Sequence, residues 1–236
     1  MINIKHPLRN INLIFNPNNH KYTDNFDRSY TSISGWVHNY FEKFDSDKIA
    51  TKCALKRNVT KESLLTEWKK AGDDAALQGD VVHNMLASKF NNIDFEINNT
   101  NEHIVEKYKK QVDIIYENIS KKLVPVYIEQ IIFNPDTMIA GTCDALFITK
   151  ELDKYVLIDW KTPKKIDMFS IYKKYGFPPF QKLMDCNYNH FCLQLSMYNS
   201  ILKSQGYLKY DIPVLQRIVH ILSDKSISIN AVKFNV

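Results

Sequence analysis

The sequence predicts a single α/β domain, and three observations lead to this prediction. The chain has 236 residues, of which 44% are hydrophobic and 24% charged, which is enough for one well-buried core. Apolar residues recur at helical spacing in several stretches, whereas other stretches are short apolar runs typical of strands. No internal repeat, low-complexity tract or linker divides the chain. We therefore interpret residues 1–72 as an N-terminal hairpin and helical part of one domain, and residues 73–236 as the part with its core motifs.

The N-terminal part begins with a predicted hairpin. Residues 12–15 and 20–22 have the pattern of short strands, and they flank a tetrapeptide of turn-forming residues at 16–19. Thr31 or Ser32 is a suitable N-cap for a helix that begins directly afterwards. Three helices are predicted to follow, at residues 33–44, 48–57 and 60–71.

Two long amphipathic helices are predicted next, at residues 73–90 and 101–123. On the first, His83 shares a face with Ala76 and Gly79 at spacings of three and four. These small residues would let the helix approach the sheet closely and place the imidazole against it. A lone histidine in such a position is also compatible with a core residue that is hydrogen-bonded to the backbone.

The central stretch of the chain runs from Gly141 to Lys161 and predicts two strands joined by a tight connection. The first strand contains Asp144, and the second ends in Asp159 and Lys161 after an apolar run. Side chains two apart on a strand point to the same face, so Asp159 and Lys161 are expected to be neighbours. The adjacent strand would bring Asp144 to the same end of the sheet. An Asp-x-Lys sequence alone is also compatible with a solvated surface ion pair.

Three charged groups in an otherwise apolar setting suggest a metal site. Burying such charges is costly unless they are paired or hold a metal. Two carboxylates provide the hard oxygen ligands that Mg²⁺ or Mn²⁺ prefers, and the adjacent Lys161 is suited to positioning a water molecule. A preceding strand at residues 126–133 contributes Glu129, which is equally compatible with a solvated strand residue or with a place near the metal.

The C-terminal third combines a basic, aromatic segment with a helix and a hairpin. Residues 162–189 interleave lysines with aromatic rings, which suits a single-stranded nucleic-acid path but is equally compatible with a packed cover. A helix is predicted at 189–203 and a β-hairpin at 215–234. The substrate-contact candidates in the segment are Lys164, Lys165, Lys173, Lys174, Tyr175 and Lys182.

The order of these motifs resembles that of the PD-(D/E)XK nuclease superfamily. Within it, the chain is similar to the RecB-like exonuclease branch of phages and large viruses and to mitochondrial genome maintenance exonucleases. The opening hairpin with His20-Lys21-Tyr22 is also similar, so the resemblance covers most of the chain. The four motifs are, in chain order, Gly79-x-x-x-His83, Gly141-x-x-Asp144, Asp159-x-Lys161 and Gln194-x-x-x-Tyr198.

The resemblance implies a PD-(D/E)XK restriction-endonuclease-like core, a central mixed β-sheet flanked by helices. It further implies that Lys161 orients or helps to deprotonate the attacking water, and that Gln194 and Tyr198 border the site and position Lys161 or the scissile strand. Considered without the resemblance, this pair is compatible with a partly buried polar contact at a helix–sheet seam. The metal ligands that the resemblance implies are Asp144, Asp159, His83 and the backbone carbonyl of Trp160.

Composition and cysteine spacing add expectations about partners and location. The formal net charge of +5 suits a polyanionic partner, which the resemblance identifies as DNA. No apolar stretch approaches a membrane span and no signal peptide is recognisable, so an intracellular protein is expected. Richness in Asn, Ile and Lys is typical of an AT-rich genome such as a viral one. The spacing of Cys53, Cys143, Cys186 and Cys192 differs from that of relatives with an iron–sulfur cluster, so reduced thiols and no cluster are expected.

The sequence therefore predicts a Mg²⁺- or Mn²⁺-dependent deoxyribonuclease, an exonuclease acting on DNA ends or single strands in replication, recombination or repair. Two alternatives remain within the resemblance, namely a structure-specific endonuclease and a nucleic-acid-binding module without catalysis. A third, a metal-free scaffold protein, requires the charges of Asp144, Asp159 and Lys161 to form surface pairs.

Overall fold

A computed structural model describes residues 1–236, and its centre is a nine-stranded mixed sheet. The strands are β1 Ile2–Lys5, β2 Asn12–Asn16, β3 Lys21–Asp24, β4 Ser29–Ser32, β5 Leu123–Asn134, β6 Ile139–Thr149, β7 Tyr155–Lys161, β8 Val214–Ile221 and β9 Ser226–Asn230. The helices are α1 Ile33–His38, α2 Ser46–Arg57, α3 Lys61–Asn91, α4 Glu102–Ser120 and α5 Asn187–Ser204. The α/β class with a mixed sheet flanked by helices is therefore confirmed.

The sheet is built around β6, which pairs with three strands. β5 and β7 pair with it in antiparallel orientation, and the short β4 pairs with its first residues in parallel. β7 pairs with β8 in parallel, and β9 completes that side through an antiparallel hairpin. β1 to β4 form an antiparallel meander at the other side. The two hairpins predicted from turn-forming residues are both present.

Helices cover both faces of the sheet because each face presents its own apolar residues. On one face, α3 and α4 pack over β6 and β7 around Phe147 and Trp160. On the other, α1 and α5 pack over Leu146 and Leu157. Among the five helices, none combines the length and the apolar character that crossing a bilayer requires.

The structure corrects the prediction of two helices at residues 60–71 and 73–90. They form one continuous helix, α3, which Thr60 caps at its N-terminus by accepting a hydrogen bond from the Ser63 amide. Gly72 lies in its interior, where a glycine costs about 1 kcal/mol relative to alanine. That cost does not break a helix with good helix formers on both sides. The boundary placed between residues 72 and 73 consequently falls inside α3.

The first helix is shorter than its apolar stripe suggests. α1 begins after Ser32, whose side chain accepts a hydrogen bond from the Gly35 amide at 3.0 Å, and it ends at His38. Phe41 is buried outside the helix, whereas Phe44 is 68% exposed. The apolar periodicity therefore continues past the end of the helix.

Candidate metal centre

The candidate site lies where β6 and β7 separate. The last backbone pair between them is Ala145 with Ile158, and the two aspartates, Asp144 and Asp159, are the next residue on each strand beyond that pair. Beyond that point the carboxylate of Asp144 takes the place of a backbone partner, because its Oδ2 accepts a hydrogen bond from the Trp160 amide at 2.8 Å. Asp144 and Asp159 are both buried. The prediction that the two strands bring their carboxylates to one end of the sheet agrees with this arrangement.

His83 of α3 reaches this point from the side of the helices. Its Nδ1 lies 3.6 Å from Asp144 Oδ2 and 3.7 Å from Glu129 Oε1. Its Nε2 lies 3.0 Å from the carbonyl oxygen of Trp160. At Gly79, one turn earlier, a Cβ would lie 3.6 Å from Thr162 Oγ1, which is an ordinary contact, so the position of α3 does not require a glycine there. The imidazole of His83 does lie against the sheet, as predicted, through its contacts with Asp144 and the Trp160 carbonyl.

Glu129, whose position the sequence left open, belongs to the same cluster. The pairs Ile128–Ala145 and Gln130–Cys143 flank it in the β5–β6 ladder, so it lies opposite Asp144. Its φ of +49° is in the left-handed region, which costs a non-glycine residue about 1–2 kcal/mol. Its Oε1 is buried without a hydrogen-bond partner. Ligand atoms of His83, Glu129 and Asp144 all lie within 4.8 Å of one another.

Asp159 and Lys161 form a buried ion pair beside this cluster. Lys161 Nζ lies 2.7 Å from Asp159 Oδ2, and the side chains are 17% and 2% exposed. The ammonium group also lies 4.8 Å from the centre of the Phe191 ring of α5. Asp159 Oδ1 has no hydrogen-bond partner. The interpretation of Asp-x-Lys as a solvated surface pair does not hold, because Asp159 is buried and the side chain of Lys161 is only 17% exposed.

The charges in this cluster shift one another's pKa values. Burial alone would lower the pKa of His83, but Asp144 and Glu129 outweigh it and raise the pKa to about 9. Burial raises the pKa of Asp159 to about 6, although Lys161 acts in the opposite direction. Burial likewise raises the pKa of Asp144 against the influence of His83 and Lys161. For Lys161 burial would lower the pKa, and Asp159 and Asp144 reverse this effect.

These residues fit a divalent cation. Glu129 and Asp159 each hold a buried oxygen without a partner, which is costly unless something positive binds there. The separations of 3.6 and 3.7 Å match neither the about 3 Å of adjacent ligands nor the about 4.2 Å of opposite ligands around Mg²⁺, so these side chains would have to shift by about half an ångström to bind it. Carboxylate oxygens with one imidazole suit Mg²⁺ or Mn²⁺. The Trp160 carbonyl, which the resemblance implies as a ligand, is here the partner that orients His83.

The raised pKa values predict that metal binding competes with protons. Mn²⁺ affinity, measured by calorimetry, is expected to fall as the pH is lowered from about 8 to about 5, because the ligands must lose protons before they bind. Protonation of Asp159 weakens metal binding below its pKa of about 6, and protonation of His83 weakens it below its pKa of about 9. Buffers of different ionisation enthalpy should report proton release on binding. An affinity that stays constant over this pH range would contradict this assignment of ligands.

Gln194 and Tyr198 lie on the opposite side of the sheet from His83. They are one turn apart on α5, with Gln194 Nε2 donating to Tyr198 Oη at 3.4 Å. Tyr198 is 4% exposed, and its ring packs so close to Gly141 that a Cβ there would lie 3.2 Å from Cε1. Burial, followed by the charge of Asp144, raises the pKa of Tyr198 well above its ordinary value. The pair lies within electrostatic reach of the aspartates, and Phe191 of the same helix contacts Lys161.

The basic, aromatic segment after β7 is partly packed and partly exposed. Phe180 is buried against Trp36 and Tyr40, whereas Phe169 and Tyr172 are 72% and 82% exposed. The segment is therefore a packed cover only in part, and a nucleic-acid path along its exposed residues stays a prediction. Ion pairs engage Lys165 with Asp167 and Lys174 with Glu42. The remaining substrate-contact candidates, Lys164, Lys173, Tyr175 and Lys182, are exposed.

Two residues that hold this segment were not identified from the sequence. Gln78 donates from Nε2 to the Thr162 carbonyl at 3.3 Å, and His220 Nε2 lies 2.6 Å from the Pro163 carbonyl. Together they fix the chain where it leaves Lys161. No local sequence pattern identifies these two residues. Gln78 lies on α3, far in sequence from Thr162, and His220 comes next to this segment only because β8 pairs with β7 so that His220 is opposite Lys161.

Comparison with known proteins gives no family assignment. No protein-family model matches the chain, and no curated protein is significantly similar to it.

Proposed function

We propose that this protein is a Mg²⁺- or Mn²⁺-dependent deoxyribonuclease with a PD-(D/E)XK core, acting as an exonuclease on DNA ends or single strands. One observation carries the proposal. The ion pair of Lys161 with the buried carboxylate of Asp159 lies beside a cluster of two further carboxylates, Glu129 and Asp144, and one imidazole, His83, at the point where two strands separate. A structural core has no need of so many charges in one place, since each costs free energy to bury.

Each residue has a role that follows from its position. Asp144, Asp159, Glu129 and His83 would hold the cation, which supplies Lewis acidity toward a phosphate and its attacking water. Lys161, fixed by Asp159, has an ammonium group that can orient that water and counter the charge that develops on the phosphate. The Asp144–Trp160 hydrogen bond keeps the two strand ends at a fixed separation.

A polyanionic substrate agrees with the charge around the site. The chain has a formal net charge of +5 although the proposed site itself contains three carboxylates. Exposed rings and exposed lysines alternate in the segment after β7, including Phe169, Tyr172 and Lys173. Such surfaces bind single strands by stacking at about 1–3 kcal/mol per base and by contacts to phosphates. DNA with unpaired bases is the substrate that this surface fits.

The exonuclease proposal predicts that cleavage depends on a free end. With Mg²⁺ or Mn²⁺ present, linear single-stranded DNA is expected to be degraded to short products, whereas covalently closed single-stranded circles of the same sequence should remain intact. The reason is that the segment after β7 borders the site, so a strand must be fed beside it from an end. End-labelled and circular substrates resolved on denaturing gels measure both reactions.

Two controls separate the alternatives. EDTA should stop degradation, and the same circle linearised by one cut should become a substrate. Rapid nicking of intact circles would replace the exonuclease by the endonuclease alternative. Tight DNA binding without cleavage of any form, with Mn²⁺ present, would identify a binding module instead.

A further inference from the structure

Residues 46–76 form a helical arm that takes no part in the core. α2 and the first half of α3 pack together as a hairpin in which Ala50, Ala54 and Leu64 are the buried residues. The four hydrophobic clusters of the fold are built without any residue of this range. We call residues 46–76 the helical arm.

The arm is joined to the body through a bare length of helix. All residues from Lys69 to Ala76 are exposed, which is more than two turns, so every face of α3 meets solvent there. The same helix then contacts Thr162 through Gln78 and the metal cluster through His83. The arm is consequently continuous, through α3, with the helix that contributes His83 to the site.

The arm has a stripe of lysines without partners. Its ion pairs join Arg57 to Glu67, Lys61 to Asp47 and Lys69 to Asp73. On α2, Asp47 is the only acidic residue, so this pairing leaves Lys48, Lys52 and Lys56 exposed and unpaired. Successive positions in this series are four residues apart, so the three side chains share one face with a rise of about 6 Å between them.

Such a stripe is unfavourable for the isolated arm. Like charges four residues apart destabilise a helix, and α2 gains little from packing because only Ala50 and Ala54 are buried. On α3 within the arm, Glu67 pairs with Arg57 and Asp73 pairs with Lys69, so only Glu62 and Asp74 are left to offset the repulsion. A bound polyanion would replace this repulsion by attraction.

We infer that the helical arm is a second nucleic-acid contact, at which Lys48, Lys52 and Lys56 hold phosphates of the substrate at a distance from the metal cluster. This inference rests on the proposed function, because it extends the substrate of the same site. Leu64, the buried residue of α3 within the arm, lies about 28 Å from His83 along the helix at 1.5 Å per residue. If the bound strand kept the stacked spacing of 3.4 Å per nucleotide found along one strand of duplex DNA, it would extend about eight nucleotides from the reacting phosphate, and an extended single strand would need fewer.

The test compares long and short DNA. Lys48→Ala, Lys52→Ala and Lys56→Ala are combined in a chain that also contains Asp144→Asn, and binding of oligonucleotides of about 6 and about 20 nucleotides is followed by fluorescence anisotropy. The arm predicts that the triple replacement lowers the affinity for the long oligonucleotide at least tenfold at low salt. It should also reduce the salt slope by up to about two, the value for three single-strand phosphate contacts. The advantage of long over short DNA should shrink accordingly.

Two controls accompany this test, namely the melting temperature of the triple variant and a second triple variant that removes the same charge elsewhere. Alanine is the best helix former and removes the repulsion, so the melting temperature of the triple variant should not fall. Lys121→Ala, Lys122→Ala and Lys150→Ala remove the same charge from exposed, unpaired sites near the far end of β5 and β6, and they should leave the affinity for long DNA unchanged. Equal losses in both triple variants, or none in the arm variant, would overturn the inference. In either case, DNA cleavage by the chain with Asp144 intact would still support the proposed function. If that chain did not cleave DNA, the proposed function and the inference about the arm would both be refuted.

Discussion

Asp144→Asn is expected to abolish metal-dependent DNA cleavage while the protein stays folded. The loss in rate should be at least about 10²-fold, the scale seen when one charge-stabilising group is removed from an active site. The fold should persist because an asparagine oxygen can still accept the hydrogen bond from the Trp160 amide. Removing a buried carboxylate whose pKa is raised by burial also removes a charge that the fold holds at a cost.

Thermal unfolding with and without Mn²⁺ measures the loss of the ligand directly. A cation at about 100 times its Kd stabilises the native chain by about 2.7 kcal/mol, which for a domain of this size raises Tm by about 5–10 °C. The wild type should show this rise and Asp144→Asn should show little of it. Asp224→Asn, in the exposed β8–β9 turn, is the matched control and should behave like the wild type.

Asp159→Asn should differ from Asp144→Asn in stability although both lose cleavage. Asp159 is the nearest counter-charge of the buried Lys161, and breaking a buried ion pair by removing one partner costs about 3–5 kcal/mol. Asp144→Asn leaves that pair intact. If either variant cleaved DNA at the wild-type rate, the metal centre would be misplaced.

Lys161→Met is expected to keep metal binding and DNA binding but to lose turnover. Methionine retains an unbranched apolar chain beside the Phe191 ring, so packing changes little. Asp159 loses its counter-charge, however, so the metal-free variant should also lose about 3–5 kcal/mol of stability. The ammonium group acts mainly in the transition state, and its loss should lower kcat by about 10²–10⁴-fold with little change in KM. Single-turnover cleavage together with DNA titrations distinguishes the two effects.

The control for Lys161 is a lysine at the other end of the same strand. Lys154 precedes β7, is paired with Asp153 at the surface, and lies away from the carboxylate cluster. Lys154→Met should leave kcat and KM unchanged. Equal losses of DNA affinity and turnover in Lys161→Met would make Lys161 a phosphate anchor instead of a group that acts on the water.

Helix boundaries illustrate how far local pattern reaches. The apolar stripe of residues 33–44 correctly indicates which side chains are inward up to Phe41, but it misses the end of α1 at His38. The predicted division between residues 71 and 73 is absent, because α3 continues through Gly72. In both cases propensity is a weak preference that does not by itself decide where a helix ends.

The sequence by itself determined the β6–β7 hairpin and the proximity of Asp159 and Lys161, because alternation along a strand is local and has a period of two. The resemblance implied that His83 and Asp144 share a site, but only the tertiary structure decided that Glu129 joins them and that the Trp160 carbonyl faces His83. These contacts depend on where β6 and β7 separate and on how closely α3 approaches the sheet. Both are set by packing between segments far apart in the chain, which no local pattern encodes.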